Sequence, residues 1–315
     1  MCEPSPSDRA AAAVSRAGEW LSSLVEARID DLDEQGLCLG LFGISCVAKA
    51  LPRNGSPSTD TPTAEMILAR LTAGPRGAES LRASFARGGF VTPLMAAAAL
   101  AVDSPAAARY RQLCLEEWAA LERSPWPDDS RVALFTGRLL AKLIVGEAPE
   151  PLGSLGALSH LNRLARYTAR PQGIHAVIRE LAVRSAFGQL EVVLNEGERE
   201  ILTDALSFWT FFHLKERDLD LVCPLVRALG YLRLNDLPEY GQGVEFIIRQ
   251  GKSSGRFGMQ EMATHLKSLA TQERSDTERE LQLPLTVASV WALLESHCFA
   301  AMPFRRLPAR CGQAT

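Results

Sequence analysis

The segment 197–214 carries the side chains best suited to chemistry on an apolar substrate. Residues in a helix advance by about 100° each, and the apolar positions then form one broad arc of Ile201, Ala205, Phe208, Trp209 and Phe212. Aromatic rings line apolar cavities and stabilise cations through their π faces. The arc therefore predicts a substrate-binding surface of Phe208, Trp209 and Phe212, to which Tyr231 of the next helix is added. The alternative, which we favour for Trp209, is that the rings fill the core.

Two ionisable residues, Asp204 and His213, fall on the margins of this arc. Carboxylate and imidazole groups transfer protons in enzymes when they stand beside a substrate. If the arc lines a cavity, Asp204 and His213 are the candidate catalytic residues. If the arc is core, both are hydrogen-bonded residues at the edge of a buried helix.

Acidic residues cluster at Asp30-Asp31-Leu32-Asp33-Glu34, where an amphipathic helix predicted to start near Asp8 comes to its end. Acids in such a place are typical of a solvated helix face. Basic residues cluster at Arg163, Arg166, Arg170 and Arg179. They too indicate a solvated face, with an acidic or phosphate-bearing ligand as the alternative.

The seven cysteines are odd in number and include no C-x-x-C pair, which indicates reduced, buried thiols and neither disulfides nor a zinc knuckle. The adjacent His297 and Cys298 reverse the order of the Cys-His pair in the zinc-binding lanthionine cyclases, to which we compare them. Cys223 stands in the wrong order to complete such a site. The sequence predicts no metal and no cofactor.

The composition excludes several classes of protein. The net charge of −3 gives no electrostatic footprint for nucleic acid. The N-terminus lacks the charged and apolar regions of a secretory signal, and the apolar run 37–51 is too short to span a bilayer. We expect a cytoplasmic protein that binds neither nucleic acid nor membranes.

The chain predicts an all-α protein of about a dozen helices. Hydroxyl residues precede proline at three predicted helix starts, where they cap the helix while proline occupies its first turn. The only plausible strand, 190–194, is predicted to be a loop, and Pro224 predicts a kink or break near Val222. The first predicted helix runs from about residue 8 to the acidic run 30–34. Further predicted helices cover 37–51, 62–73, 78–87, 92–102, 104–123, 130–145, 154–169, 172–186, 197–214, 217–233, 236–250, 259–272 and 285–299. We expect one domain over 1–315, with a subdivision near 146–153 as an alternative and a frayed tail over 303–315.

A polar turn, 250–258, joins two of these helices and contains Gly255-Arg256-Phe257-Gly258. Glycine permits positive φ on either side of Phe257, which is predicted to anchor the turn in the core, while Arg256 points outward. Gln250 followed by Gly255-x-Phe257 resembles the Q-x-G-x-W turn of terpenoid cyclases of the squalene-cyclase type, with Phe in place of Trp. Gly88-Gly89-Phe90 is a candidate second copy without the glutamine. The resemblance implies an α/α barrel or toroid, complete or incomplete.

Asp31-Leu32-Asp33-Glu34 also resembles the D-x-D-D motif by which class II terpenoid cyclases protonate an alkene, with Glu in place of the last Asp. Such an acid needs a dry cavity that keeps it protonated. A longer similarity, which includes Leu202-Thr203-Asp204 and the turn at 250–258, covers about the last third of the chain. There the chain resembles an uncharacterised all-helical family of actinobacteria, which implies a fold and a type of organism but no activity.

Two functions follow from these patterns. The first is a bacterial natural-product or peptide-modifying biosynthetic enzyme, whose aromatic-lined cavity binds an apolar small molecule or peptide. The second is a non-catalytic helical scaffold that binds a protein or peptide partner. A deep pocket that holds Asp204 and His213 would favour the enzyme, and a filled barrel would favour the scaffold.

Overall fold

A computed structural model describes residues 4–51, 60–126, 131–150, 170–258, 271–296 and 304. Within these ranges the chain is helical without any strand, and its only bridge joins Gly251 to Phe257. The predicted all-α class is confirmed. The described helices are α1 (Pro6–Arg28), α2 (Glu34–Ala50), α3 (Asp60–Thr72), α4 (Gly74–Ala86), α5 (Val91–Ala99), α6 (Pro105–Glu122), α7 (Arg131–Val145), α8 (Pro171–Arg184), α9 (Glu196–Lys215), α10 (Leu219–Tyr231), α11 (Pro238–Gln250) and α12 (Thr271–Glu295).

Short polar side chains fix several helix starts. Ser5 caps α1, and Asp8, near which the helix was predicted to start, occupies the third helical position and completes a capping box. Asp33 caps α2 by accepting from the amide of Gly36 at 2.8 Å. Asn195 and Glu198 form a second capping box at α9. Each cap satisfies amides that the first helical turn leaves without a partner.

Two helices continue through proline where the sequence predicted an interruption. α10 is continuous across Pro224, so of the kink or break predicted near Val222 the break is absent. α12 likewise passes through Pro284. Proline removes one backbone donor from a helix, but α10 packs against α8, α9, α11 and α12, and this burial holds it together. The predicted helix 154–169 and most of 259–272 lie outside the described residues.

Six helices form a ring in which each packs against the next, in the order α2, α5, α7, α8, α10, α12 and back to α2. The remaining helices pack outside this ring, with α1 on α2 and α12, α6 on α5 and α7, and α9 and α11 on α10. This packing is compatible with the predicted α/α barrel or toroid. It places the four most apolar of the described helices, α2, α5, α7 and α10, in the ring, and a cavity can form where the inner faces of the ring meet.

The turn after α11 closes the helical layer against α1. Gly255 has φ of +86°, whereas Gly258 does not have a positive φ. Phe257 is fully buried, as predicted, and its amide donates to Thr286 Oγ1 at 3.1 Å. Arg256 does not point freely outward, because its Nη1 donates to Gln282 Oε1 at 3.3 Å. Gly88 and Phe90 repeat the pattern of a positive φ of +81° two residues before a buried ring.

Candidate functional site

A cavity of about 610 Å³ lies at the centre of the six-helix ring. Every ring helix contributes to its wall, and most of the lining side chains are apolar. Ligand sites in proteins are cavities of about this size, lined by apolar groups with a few convergent polar ones. Two of the lining residues, Pro224 and Pro284, are the interior prolines of α10 and α12. The cavity is therefore the leading candidate for a functional site.

Aromatic rings form one part of the cavity wall. Phe42, Phe187 and Trp291 all line the cavity, and the ring of Phe304 packs against each of them at centroid distances of 5.9, 4.6 and 5.9 Å. Phe187 reaches this position from a backbone with φ of +54°. Phe304 is buried, so the fraying predicted from residue 303 does not hold there, because three aromatic contacts fix the ring. The rest of that tail lies outside the described residues.

Beside the rings, Arg227 is the centre of a buried polar network. Its guanidinium carbon lies 3.1 Å from the Trp291 ring centroid, and its Nε donates to Glu295 Oε2 at 2.9 Å. Glu295 also accepts from the Tyr231 hydroxyl at 2.8 Å and from Trp291 Nε1 at 2.6 Å. Burial raises the pKa of the Tyr231 phenol well above its usual value, so the hydroxyl remains a donor. The network fixes the guanidinium at the wall of the cavity.

The other polar groups of the wall are Thr136 of α7 and a set of residues on α8 and α10. His175 Nε2 is 3.9 Å from a carboxylate oxygen of Asp220, and Arg179 Nε donates to the backbone oxygen of His175 at 3.3 Å. Cys223 is fully buried with its sulfur 3.5 Å from Ser289 Oγ, and burial raises the pKa of its thiol to about 12. The thiol is therefore protonated and unreactive. The site offers one His-Asp pair and two guanidinium groups.

A smaller recess of about 310 Å³ shares Leu39 and Pro284 with the cavity and is lined by Asp31 and Asp33. Asp31 pairs with Arg28 at 3.2 Å, while Asp33 accepts the amide of Gly36 as the cap of α2. Both carboxylates are exposed to solvent instead of being enclosed in a dry cavity. The geometry does not fit an acid that protonates an alkene.

Asp204 and His213, the predicted catalytic residues, both lie on α9, outside the ring. Asp204 is exposed, and His213 is buried with its Nδ1 3.2 Å from Asp218 Oδ2. Asp218 also caps α10 through Leu221, which explains the pair as a junction between two helices. Neither residue lines the cavity. A role for them in proton transfer stays a prediction.

The aromatic arc of α9 is rotated from its predicted direction. Trp209 is buried, but Phe208 and Phe212 are 37% and 47% exposed and belong to the solvent face. The buried face keeps Ala205 and Trp209 of the predicted arc and otherwise contains Leu202, Leu206, Thr210 and His213. Thr210 fits there because its hydroxyl donates to the carbonyl of Leu206 at 2.7 Å, which satisfies its polar group within the helix. Of the predicted binding residues, Tyr231 comes nearest to the cavity, through its contact with Arg227.

The wall residues that the sequence did not single out follow helical spacing. Asp220, Cys223, Pro224 and Arg227 recur at intervals of three or four along α10, as do Pro284, Val287, Ala288 and Trp291 along α12. This is the spacing of any buried helix face. The usable signal is Arg227, because arginine within an apolar segment is rarely buried without a partner.

The G-x-S-x-G spacing of serine hydrolases occurs at 251–255, but it follows helix α11 where that motif requires a strand. Ser253 is exposed in this turn. It therefore lacks the structural setting of an activated nucleophile.

Comparisons with protein-family models, with curated proteins and with solved structures find no match to this chain. Among the described residues no helix is long and apolar enough to cross a membrane. The same residues contain no group of three or more histidine, cysteine or acidic side chains placed to hold a metal ion. Function must therefore be inferred from the cavity itself.

Proposed function

We propose that the protein binds an apolar small molecule in the central cavity and acts on it as a bacterial biosynthetic enzyme. The observation that carries the proposal is the cavity, about 610 Å³ in volume and walled by apolar side chains from all six ring helices. Closely packed cores leave few voids larger than a water molecule. An opening of this size at the centre of a helical ring is the form expected of a ligand site.

The proposal assigns proton transfer to His175 and Asp220 instead of Asp204 and His213. His175 and Asp220 line the cavity, and Nε2 of the histidine is 3.9 Å from the carboxylate. An imidazole and a carboxylate placed side by side at a cavity can act as general acid and general base. A substrate in the cavity would have this pair within reach of its reacting atoms.

A cavity-filling substitution tests the proposal. Ala288→Phe places a ring in the cavity from α12, and Ala12→Phe adds the same ring on the exposed face of α1. The neutral dye N-phenyl-1-naphthylamine, which fluoresces in apolar surroundings, serves as the probe. We expect Ala288→Phe to weaken dye binding about tenfold or more and Ala12→Phe to leave it unchanged. Absence of dye binding, or equal binding by all three proteins, would overturn the proposal.

A second candidate, the non-catalytic scaffold, has one observation in its favour. Phe208, Phe211 and Phe212 are each more than a third exposed on α9, which lies outside the ring. Exposed aromatic groups of this kind occur at protein interfaces. A cavity that does not bind the dye would favour this candidate over the enzyme.

A further inference from the structure

Most polar groups of the cavity wall are already satisfied by the protein. The Thr136 hydroxyl donates to the carbonyl of Val132 at 2.7 Å, and the Cys223 sulfur lies against Ser289. Asp220 is largely exposed at the rim, where it faces His175. Thr136 and Cys223 therefore offer a ligand little beyond apolar contact, and His175 and Asp220 are the pair assigned to proton transfer. The character of the ligand then depends on the two arginines.

Arg227 is fixed in position and keeps one guanidinium nitrogen available as a hydrogen-bond donor. Glu295 and Tyr231 occupy its Nε and Nη2, and Trp291 covers the face of the guanidinium. Among the described residues, Nη1 has no hydrogen-bond partner. A guanidinium whose orientation is fixed loses little entropy when it binds an oxygen anion.

Arg179 supplies a second guanidinium at the cavity. Its Nε donates to the carbonyl of His175, and within the described part of the chain it has no ion pair. Exposed arginines elsewhere in the protein, such as Arg249 and Arg138, pair with glutamates. The terminal nitrogens of Arg179 are therefore available to a ligand.

The two arginines favour a ligand with an anionic head group. Glu295 pairs with Arg227 and Asp220 lies beside His175, while the terminal nitrogens of Arg179 and Nη1 of Arg227 have no acidic partner among the described residues. We infer that the ligand is an apolar molecule with one anionic head group, such as a long-chain carboxylate, whose head is bound by Arg179 and Arg227. This inference rests on the proposed function, because it requires that the cavity binds an apolar molecule.

The test compares two probes that share a tail. Dodecanoate and dodecanol, both below their aggregation concentrations, are titrated against the dye-loaded protein, and their dissociation constants are obtained from dye displacement. We expect dodecanoate to bind about tenfold more tightly than dodecanol, since a hydrogen bond to a charged group contributes more than one to a neutral group.

Matched variants identify the groups that recognise the head. Arg179→Gln removes an exposed charge whose only described hydrogen bond is within its own helix, so we expect the fold to be unaffected. It should weaken dodecanoate binding about tenfold and leave dodecanol unchanged. Arg227→Lys keeps a positive charge beside Glu295 but removes the fork of donors, and it should weaken dodecanoate in the same way. Arg249→Gln, which loses an exposed arginine away from the cavity, is the control.

Each outcome separates the two proposals. If neither probe displaces the dye, or no dye binds, the proposed function fails. If both probes bind equally well, or Arg179→Gln and Arg249→Gln weaken dodecanoate alike, the cavity binds apolar molecules but the anionic head group is wrong. Thermal melts of all variants exclude loss of folded protein as the cause.

Discussion

Gly255 shows how strictly a single position can be constrained by its surroundings. Its φ of +86° lies in a region that side chains disfavour, and a Cβ atom there would overlap the carbonyl oxygen of Arg16 and lie 2.8 Å from Trp20 Cβ. The sequence predicted the positive φ from turn chemistry, which is local. It could not predict the contact with α1, because that contact joins residues more than two hundred positions apart.

We expect Gly255→Ala to lower the free energy of unfolding by about 2–4 kcal/mol, from the strained φ and the contact with α1 together. Gly241→Ala is the matched control, since a Cβ atom at that position would have no atom within 4 Å and alanine favours the helix by about 0.5–1 kcal/mol. Urea unfolding of both variants gives the comparison. Equal changes in the free energy of unfolding of the two variants would mean that Gly255 is not in close contact with α1.

Among the helices, α9 shows that apolar periodicity predicts where a helix begins and ends but not which of its faces is buried. The helix was predicted over 197–214 and is observed over Glu196–Lys215, because capping by Asn195 and apolar repeats are local signals. The predicted rotation of the helix about its own axis was wrong by part of a turn. Aromatic residues were assumed to face inward, but the face against α10 and α11 contains Thr210 and His213, whose polar atoms have partners nearby. The helices that pack against α9 decide which of its faces is buried. The spacing of apolar residues along α9 does not identify those helices.

Two alanine substitutions on α9 test this orientation. Trp209→Ala removes a large side chain that is 3% exposed, and we expect it to cost about 3–5 kcal/mol of stability. Phe211→Ala removes a ring that is 48% exposed and should change stability by less than about 0.5 kcal/mol. Chemical denaturation measures both. Comparable losses would show that Phe211 is also packed, and the helix would then be rotated from the orientation described.

For the whole molecule, the all-α fold class could be predicted from the sequence, but the position of the central cavity could not. Caps, helical periodicity and the lack of alternating strands predict an all-α protein from the sequence alone. The cavity depends on which helices meet in the ring, and Arg227 meets Trp291 and Glu295 only through the packing of α10 on α12. Packing between separate helices cannot be deduced from local patterns, which give only the hint of an arginine within an apolar segment. The sequence therefore placed its candidate site on α9, outside the ring.

The labelling rates of four buried thiols can show whether the described part of the protein unfolds as one cooperative unit. Cys38, Cys46, Cys114 and Cys223 are free and buried, on α2, α6 and α10. Burial raises the pKa of Cys38 and Cys223 to about 12 and also raises that of Cys46 and Cys114, so the reactive thiolate is scarce at pH 8. We expect iodoacetamide to label all four only as fast as the protein unfolds globally. Peptide mass spectrometry measures each rate, and early labelling of one thiol would reveal local opening.

The packing of α1 and α2 against α12 has a consequence for synthesis on the ribosome. Both helices are synthesised well before their partner, which begins only at Thr271. Translation at about 5–20 residues per second leaves these apolar faces uncovered for roughly ten seconds or more. During that interval the nascent chain presents a binding surface for chaperones, and silent codon changes that slow elongation would lengthen its exposure.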